Sequence, residues 1–410
     1  MERLKDLKIE ESLGLAKKVF DWLYLGGLFF IVCSEIMRTI SVFPNQNITV
    51  TILFMEFSPY ILPLLFFRFI LSGAIKFNAQ SVTVFSIMMA ILYYTNLFHT
   101  ASDDNIIMLS LLVGGVNIPW RRIVKTVFAA QFLSVVLVPI LYFAGVTATN
   151  VDMIYRTNGL PRYSIGFLHP NQIGMQTFMM IGLFFVLYIN KLRIWHFLVA
   201  EVIAVVGYFI SYARSGLLFI TLMIVAFAVY TLVLRKKNFD LFDVKPIKLF
   251  ATLIFPIFAA LSFLYIPLAA SKTLDDFSSL RFSYSARAMN EMGFQFITLN
   301  ADEFLGDILL DNVFLNITFY HGVLFIIVYA ILFTLLQKRL VKVNHPMALY
   351  ICTLLCYCMI DHPIIWGGYA ALAPLMLSDS EFLVYNEGKP LKSYFTKKHK
   401  PVETVYEATD

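Results

Sequence analysis

Apolar residues run through this chain in blocks of about 20, the length that crosses a bilayer core as a helix, with short polar breaks between them. Twelve blocks are counted, near residues 20–42, 48–71, 80–99, 105–119, 124–146, 170–190, 194–212, 215–234, 248–269, 309–336, 346–362 and 365–384. The pattern predicts an all-α polytopic membrane protein of about 12 transmembrane helices. No polar block is long enough for a water-soluble domain, so residues 1–410 read as a single transmembrane domain. Two connections on one side are long: residues 147–169, and residues 270–308 between the ninth and tenth blocks. In the second, Tyr284, Ala288, Met289, Met292 and Phe296 recur at helical spacing, which predicts an amphipathic helix near the membrane interface. Residues 1–18 are charged and amphipathic, and no small-residue cleavage site follows the first apolar run, so that run is expected to be retained.

A hydrophobic fraction of 59% and a mean hydropathy of +0.74 exclude an ordinary soluble domain, and charge then sets the orientation. With the N-terminus inside, 25 of the 32 Lys and Arg fall in residues 1–18, 68–76, 121–125, 191–193, 235–248, 338–342 and 389–400. The positive-inside rule is obeyed throughout, which places both termini in the cytoplasm. The remaining seven are Arg38, Arg156, Arg162, Arg214, Lys272, Arg281 and Arg287. Six of these seven are arginine, against 18 lysines to 7 arginines on the inner side. Arginine presents a planar fork that matches phosphate or carboxylate oxygens two at a time, so this bias points to an anionic ligand on the outer face. Cys33, Cys352, Cys356 and Cys358 all lie in apolar runs without a CxxC pair, which indicates packing rather than a disulfide framework or a zinc site. No internal repeat and no Gly-rich phosphate loop is present.

Four polar stretches interrupt the outer side. In SIGFLHPNQIGM, Arg162 and Gly166 precede His169-Pro170-Asn171, and Pro170 suits the first turn of a helix whose open amides would face outward. Capping alone also accounts for it. In SYARSG, Arg214 sits between two spans joined by almost no loop, either snorkelling to the interface or held at the floor of an outward cavity. In the large loop, Arg287 and Glu291 stand four apart and suit a salt bridge, while Arg281, Arg287 and Asn290 suit a ligand. On one continuous helix Arg281 lies about 120° around from Arg287, so both reach one ligand only if the helix breaks or starts late; Arg287 is the favoured one. In LDNVFLNITFYHGVLF, Asp311 caps the helix or serves as a base, Asn312 follows it, and Tyr320-His321-Gly322 lies deeper, His321 suiting packing better than catalysis. Asp361-His362-Pro363 completes the polar set on this side, whereas Glu35, Glu56 and Glu201 lie within spans with their roles open.

These stretches, in this order, resemble the bacterial O-antigen polymerase and O-antigen ligase superfamily, including the Wzy-type polymerases of capsules and exopolysaccharides. The resemblance covers roughly residues 155–335. It rests on Arg162 and Gly166 before Pro170-Asn171, on Arg214-Ser215, on Arg287 ahead of Gly306, and on Asp311-Asn312 followed by Tyr320-His321-Gly322. Ala213 stands where the family more often has Ser, and Asp311 where its ligases have His, which favours a polymerase. The resemblance implies a GT-C-type glycosyltransferase in the cytoplasmic (inner) membrane with its active site facing outside. It would use undecaprenyl-pyrophosphate-linked oligosaccharide as substrate, without nucleotide sugars and without a cofactor. Arg162, Arg214 and Arg287 would bind the pyrophosphate, and Asp311, or His169, would orient or deprotonate the acceptor hydroxyl. His169, Asn171, Arg281, Asn290, Asn312 and Tyr320 join the expected binding set. No divalent metal is expected, no nucleic acid partner is implied, and a flippase and a chain-length regulator are the expected partners.

Two rivals stand beside this reading. A ligase of the same superfamily would attach finished polymer to an acceptor. A lipid-linked oligosaccharide flippase would also have about twelve spans, although transporters of this size often show two related halves, and residues 1–120 here have no counterpart of the large loop.

Overall fold

The computed structural model describes residues 2–37, 118–147, 154–155 and 161–362, with short interruptions at 236, 238, 279 and within 299–309, and isolated positions elsewhere. The second and third predicted spans, most of the fourth, the twelfth, and with them Arg38, Glu56, Arg156, Gly306 and Pro363, lie outside the described residues. The chain is mostly helical. In order, α1 is Glu2–Met37, α2 Trp120–Phe143, α3 Asn171–Leu187, α4 Ile194–Ser211, α5 Arg214–Leu234 and α6 Lys245–Leu268. Two short helices follow, α7 Lys272–Ser278 and α8 Arg281–Met292, then α9 Val313–Asn316, α10 Val323–Val343 and α11 His345–Tyr357. Among the described residues, α2, α4, α5, α6 and α10 are long and apolar enough to cross a membrane.

The central element is α3. Thirteen of its residues are buried, including Met175, Phe178, Ile181 and Phe185, so it lacks the polar stripe of a surface helix and is surrounded instead. It packs against α2, α4, α5 and α11. By contrast α4 turns Leu198, Val202, Val206 and Phe209 outward, an apolar exterior suited to lipid. Close approach at the centre depends on glycine. A Cβ on Gly174 of α3 would lie 2.9 Å from the Cα of Gly216 in α5, and one on Gly182 would run into the ring of Tyr350 in α11.

Helix length places the ends. At 1.5 Å per residue, α3 spans about 25 Å and α11 about 20 Å, less than a hydrocarbon core of about 30 Å. α3 starts, and α11 finishes, at the end of the bundle opposite the Lys/Arg-rich connections 188–193, 235–245 and 338–345. At that end the connection entering α3 packs beside the last turns of α2: Gly166 lies against the Val138 carbonyl and Tyr142, ahead of Phe143.

The predicted tenth span, 309–336, differs from what is observed. The long helix there is Val323–Val343, preceded by α9 and a π-helical turn, Ile317–His321, and broken at Gly322. The cause is local. Gly322 has φ +104°, and a Cβ there would meet the backbone of Phe296, Ile297 and Thr298 at 2.7–2.8 Å. The amides of Val323 and Leu324 donate to the carbonyls of Gln295 (2.9 Å) and Phe296 (2.9 Å), and Thr298 N donates to the His321 carbonyl (3.2 Å). The same docking explains why the predicted amphipathic helix stops at Met292 instead of reaching Phe296: Gly293, at φ +65°, ends α8 and frees the chain to pair with the start of α10.

Candidate functional site

Side chains from five segments meet at the end of the bundle opposite the basic connections. The first is the entry to α3. Its loop carries an antiparallel two-residue pairing, Ile154–Tyr155 with Pro161–Arg162, and then a tight turn in which both Ile165 (φ +45°) and Gly166 (φ +86°) are left-handed. A β-branched residue in that region is strained, a state found where the surroundings over-determine the backbone. The turn brings Arg162 back across α3 and α4. Its Nε donates to the Ser211 carbonyl at 3.0 Å and Nη2 to Asn171 Oδ1 at 2.5 Å. Asn171 N donates to His169 Nδ1 at 3.2 Å. Although one edge of the His169 ring is exposed, desolvation of the rest and the nearby Arg162 charge push its pKa down to about 4, so the ring is neutral at neutral pH.

The second segment is the α4–α5 junction. Tyr212, left-handed at φ +47°, and Ala213 form the entire link, so α5 begins at Arg214 beside the α3 entry. Arg214 is exposed there, while Ser215 turns inward and donates from Oγ to Asp361 Oδ2 at 3.0 Å.

The remaining segments supply the acidic centre. Arg281, the first residue of α8, pairs through Nε with Asp311 Oδ2 at 2.8 Å. His362 Nδ1 lies 3.8 Å from Asp311 Oδ1 and 3.8 Å from Asp361 Oδ1. The donor atoms of Asp311, Asp361 and His362 fall within 4.8 Å of one another, close enough to share one cation, and the guanidinium of Arg281 already supplies positive charge there. Asp361 is 2% exposed. Burial, with the Asp311 charge adding to it, pushes its carboxyl up to about 6.

The expected site residues separate into three groups. Arg162, His169, Asn171, Arg281 and Asp311 come together. Arg214 stands exposed beside Ser215 at the head of α5, while Arg287 and Asn290 lie on the exposed face of α8. Because α8 starts at Arg281 and runs unbroken to Met292, Arg287 points about 120° away from Arg281, and it pairs with Glu291 at 2.6 Å. The third group holds the framework. Asn312 caps α9, accepting from the amides of Phe314 (2.9 Å) and Leu315 (3.1 Å), and its Nδ2 donates to Ser262 Oγ and the Met359 carbonyl. Tyr320 packs into a small apolar cluster with Tyr284, Met289 and Met292 that seats α8 over the end of α6. Glu201, deep in α4, accepts from Thr221 Oγ1 of α5 at 2.8 Å and joins those two helices.

The sequence groups Asp361 and His362 with the outer polar set and Ser215 with Arg214, but points to no contact among the three. Its available signal was an Asp-His pair at the end of an apolar run, since ionisable groups at that depth are costly unless they are used. Neither a protein-family model nor a curated protein nor a solved structure matches this chain.

Proposed function

We propose that the chain is a polysaccharide polymerase, a glycosyltransferase that joins undecaprenyl-pyrophosphate-linked repeat units on the outer face of the cytoplasmic membrane. One observation carries the reading: arginines and a carboxylate from separate segments converge at the end of the bundle with few basic connections. Such a cluster suits a substrate whose lipid tail stays in the bilayer while its diphosphate and sugars meet polar groups at the helix ends.

The roles follow from the chemistry. Arg162, fixed by Asn171 and the Ser211 carbonyl, and the exposed Arg214 bind the diphosphate, and Arg287, turned away from this cluster on the outer face of α8, meets it only from the water side. They stabilise the charge that develops as it leaves. The acceptor hydroxyl oxygen forms a bond to the anomeric carbon as the carbon–oxygen bond to the diphosphate breaks, and the leaving phosphate oxygen takes the electron pair. The hydroxyl proton passes to Asp311, which Arg281 holds by its other oxygen and which keeps 27% of its side-chain surface open. Direct displacement inverts the anomeric centre.

The test is gel sizing of surface glycan from cells carrying Arg214→Ala and Arg287→Ala, beside a deletion strain, with membrane levels of each variant measured. Loss of the long ladder with single repeat units retained is expected. A normal ladder from both variants would rule out this assignment, long unattached polymer would point to the ligase, and units trapped inside to the flippase.

A further inference from the structure

Asp311 is the accessible member of a larger group. Behind it, Asp361 and His362 come from the turn that follows α11, and they are built into place. Asp361 accepts from Ser215 Oγ of α5 through one oxygen and from His362 N, at 3.2 Å, through the other. The groups facing Asp361 are Ser215, the Tyr357 hydroxyl of α11, His362 of its own turn, Asp311 and Arg281. The charge inventory is uneven: two carboxylates face one guanidinium, with an imidazole between them. With both carboxylates ionised and the imidazole neutral the group carries one net negative charge, so it has room for one proton.

We propose that Asp311, His362 and Asp361 act as one proton-accepting unit, in which His362 passes the proton taken by Asp311 inward and Asp361 stabilises it. This rests on the polymerase reading above and extends it to residues that the motif resemblance does not reach. The acceptor O–H breaks, Asp311 Oδ1 takes the proton, and His362 Nδ1 receives it from Asp311. The imidazolium so formed lies between two carboxylates, one of them kept from water. Asp311 is thereby returned to its ionised form, and the imidazolium, 16% exposed, gives its proton to water as the product leaves, which resets the unit for the next hydroxyl of a growing chain. The two 3.8 Å separations are about 1 Å longer than hydrogen bonds, and such distances tighten when a substrate closes an empty site. Asp361 is a positioning and charge-stabilising residue; it does not touch the substrate. Because its carboxyl is raised to about 6, the unit loses accepting capacity as pH falls through that value.

The experiment uses the full-length protein in vesicles supplied with lipid-linked repeat units. Elongation rate is measured from pH 5 to 8 for the wild type, Asp361→Asn, Asp361→Glu and His362→Gln, together with retention of the lipid-linked unit and thermal unfolding of each. The wild-type rate is expected to fall below pH about 6. Asp361→Asn and His362→Gln should elongate at least about tenfold more slowly at neutral pH. Both should retain substrate within about twofold and lose the acid limb of the wild-type profile, whereas Asp361→Glu should keep part of the rate. Wild-type rate and an unmoved acid limb in both Asp361→Asn and His362→Gln would overturn the relay while leaving the polymerase intact. If Asp361→Asn does not fold, His362→Gln decides alone, since its position is 16% exposed and touches less of the core. A wild-type protein that retains or translocates the units without lengthening them would overturn the polymerase reading itself, and the relay with it.

Discussion

The two ends of the bundle each hold an aspartate beside a histidine, and the pairs differ in what surrounds them. At the end with the basic connections, Asp240 Oδ1 lies 3.3 Å from His345 Nδ1 and accepts from Phe242 N at 3.0 Å. The Phe242 ring rests 5.2 Å from His345, and Asn344 caps α11 by accepting from Met347 N. The polar contacts there serve a turn and a helix start, and the side chains are 14% and 9% exposed. At the opposite end, Asp311 is 27% exposed and shares its surroundings with a second carboxylate, a guanidinium and an imidazole. A carboxyl–imidazole contact closed in by a capped turn and a capped helix acts as a fastener. The same pair left open, beside surplus negative charge, is placed to take a proton. Burial alone does not separate the two; the supply of neighbours does.

The largest effects should come from the open end. Arg281→Ala and Asp311→Asn are each expected to remove long polymer, at least about a hundredfold in rate, while the protein still reaches the membrane. Equal losses from Asp240→Asn, with normal protein levels, would erase the contrast between the ends. The next effect concerns stability. Burial raises the Asp240 carboxyl as well, so what Asp240 contributes is its geometry. Asp240→Ala removes the acceptor of Phe242 N and the neighbour of His345 and is expected to cost about 0.5–2 kcal/mol, read as a lower melting temperature in detergent. Asp361→Asn should do the reverse. Its folded-state pKa, about 6, lies above the ordinary 3.8, so the folded protein holds a proton that the unfolded chain gives up. Stability then falls as pH rises from about 4 to 6 and stays reduced above it, by up to about 3 kcal/mol. The asparagine variant lacks that penalty and should melt higher at pH 7.5 but not at pH 3.5.

The sequence pattern carried the helices well wherever one face or all faces are apolar. Spans near 124–146, 194–212, 215–234 and 248–269 appear as α2, α4, α5 and α6 with small shifts at their ends. It failed at 309–336, because an apolar run shows neither where Gly322 must admit another backbone nor that residues 293–298 will dock there. Part of the site was legible for the same reason that the spans were. Arg162, Asn171, Arg281 and Asp311 stand out as polar groups against apolar sequence. Which arginine meets Asp311 was not legible, since that depends on the point where α8 begins. Leu280, left-handed at φ +66°, and Asp275, which accepts from Ser283 N at 2.9 Å, set that start at Arg281. Ser215 and Asp361 lie 146 positions apart, and only the packing of α5 against α11 brings them together.

A smaller effect tests how the site is held. Gly174→Ala places a methyl 2.9 Å from the Gly216 Cα, and neither backbone can yield without moving α5 and with it Ser215. Overpacking of this kind costs about 1–3 kcal/mol, so a lower melting temperature and slower elongation are expected together. A variant that melts lower but elongates normally would show that the site tolerates movement of α5.

The smallest effect belongs to the Arg287–Glu291 pair on the outer face of α8. Its side chains are 57% and 35% exposed, and an ion pair so wet contributes no more than about 1 kcal/mol. Arg287→Ala should therefore leave the melting temperature nearly unchanged, in contrast to Asp240→Ala, while shortening the glycan ladder, because its proposed partner is the diphosphate and not the fold. Glu291→Gln offers the complementary reading. It releases the guanidinium without removing it, so retention of the lipid-linked unit should hold or improve. If Arg287→Ala instead melts as low as Asp240→Ala and the ladder keeps its length, Arg287 belongs with the fasteners, and the diphosphate is left to Arg162 and Arg214 at the heads of α3 and α5.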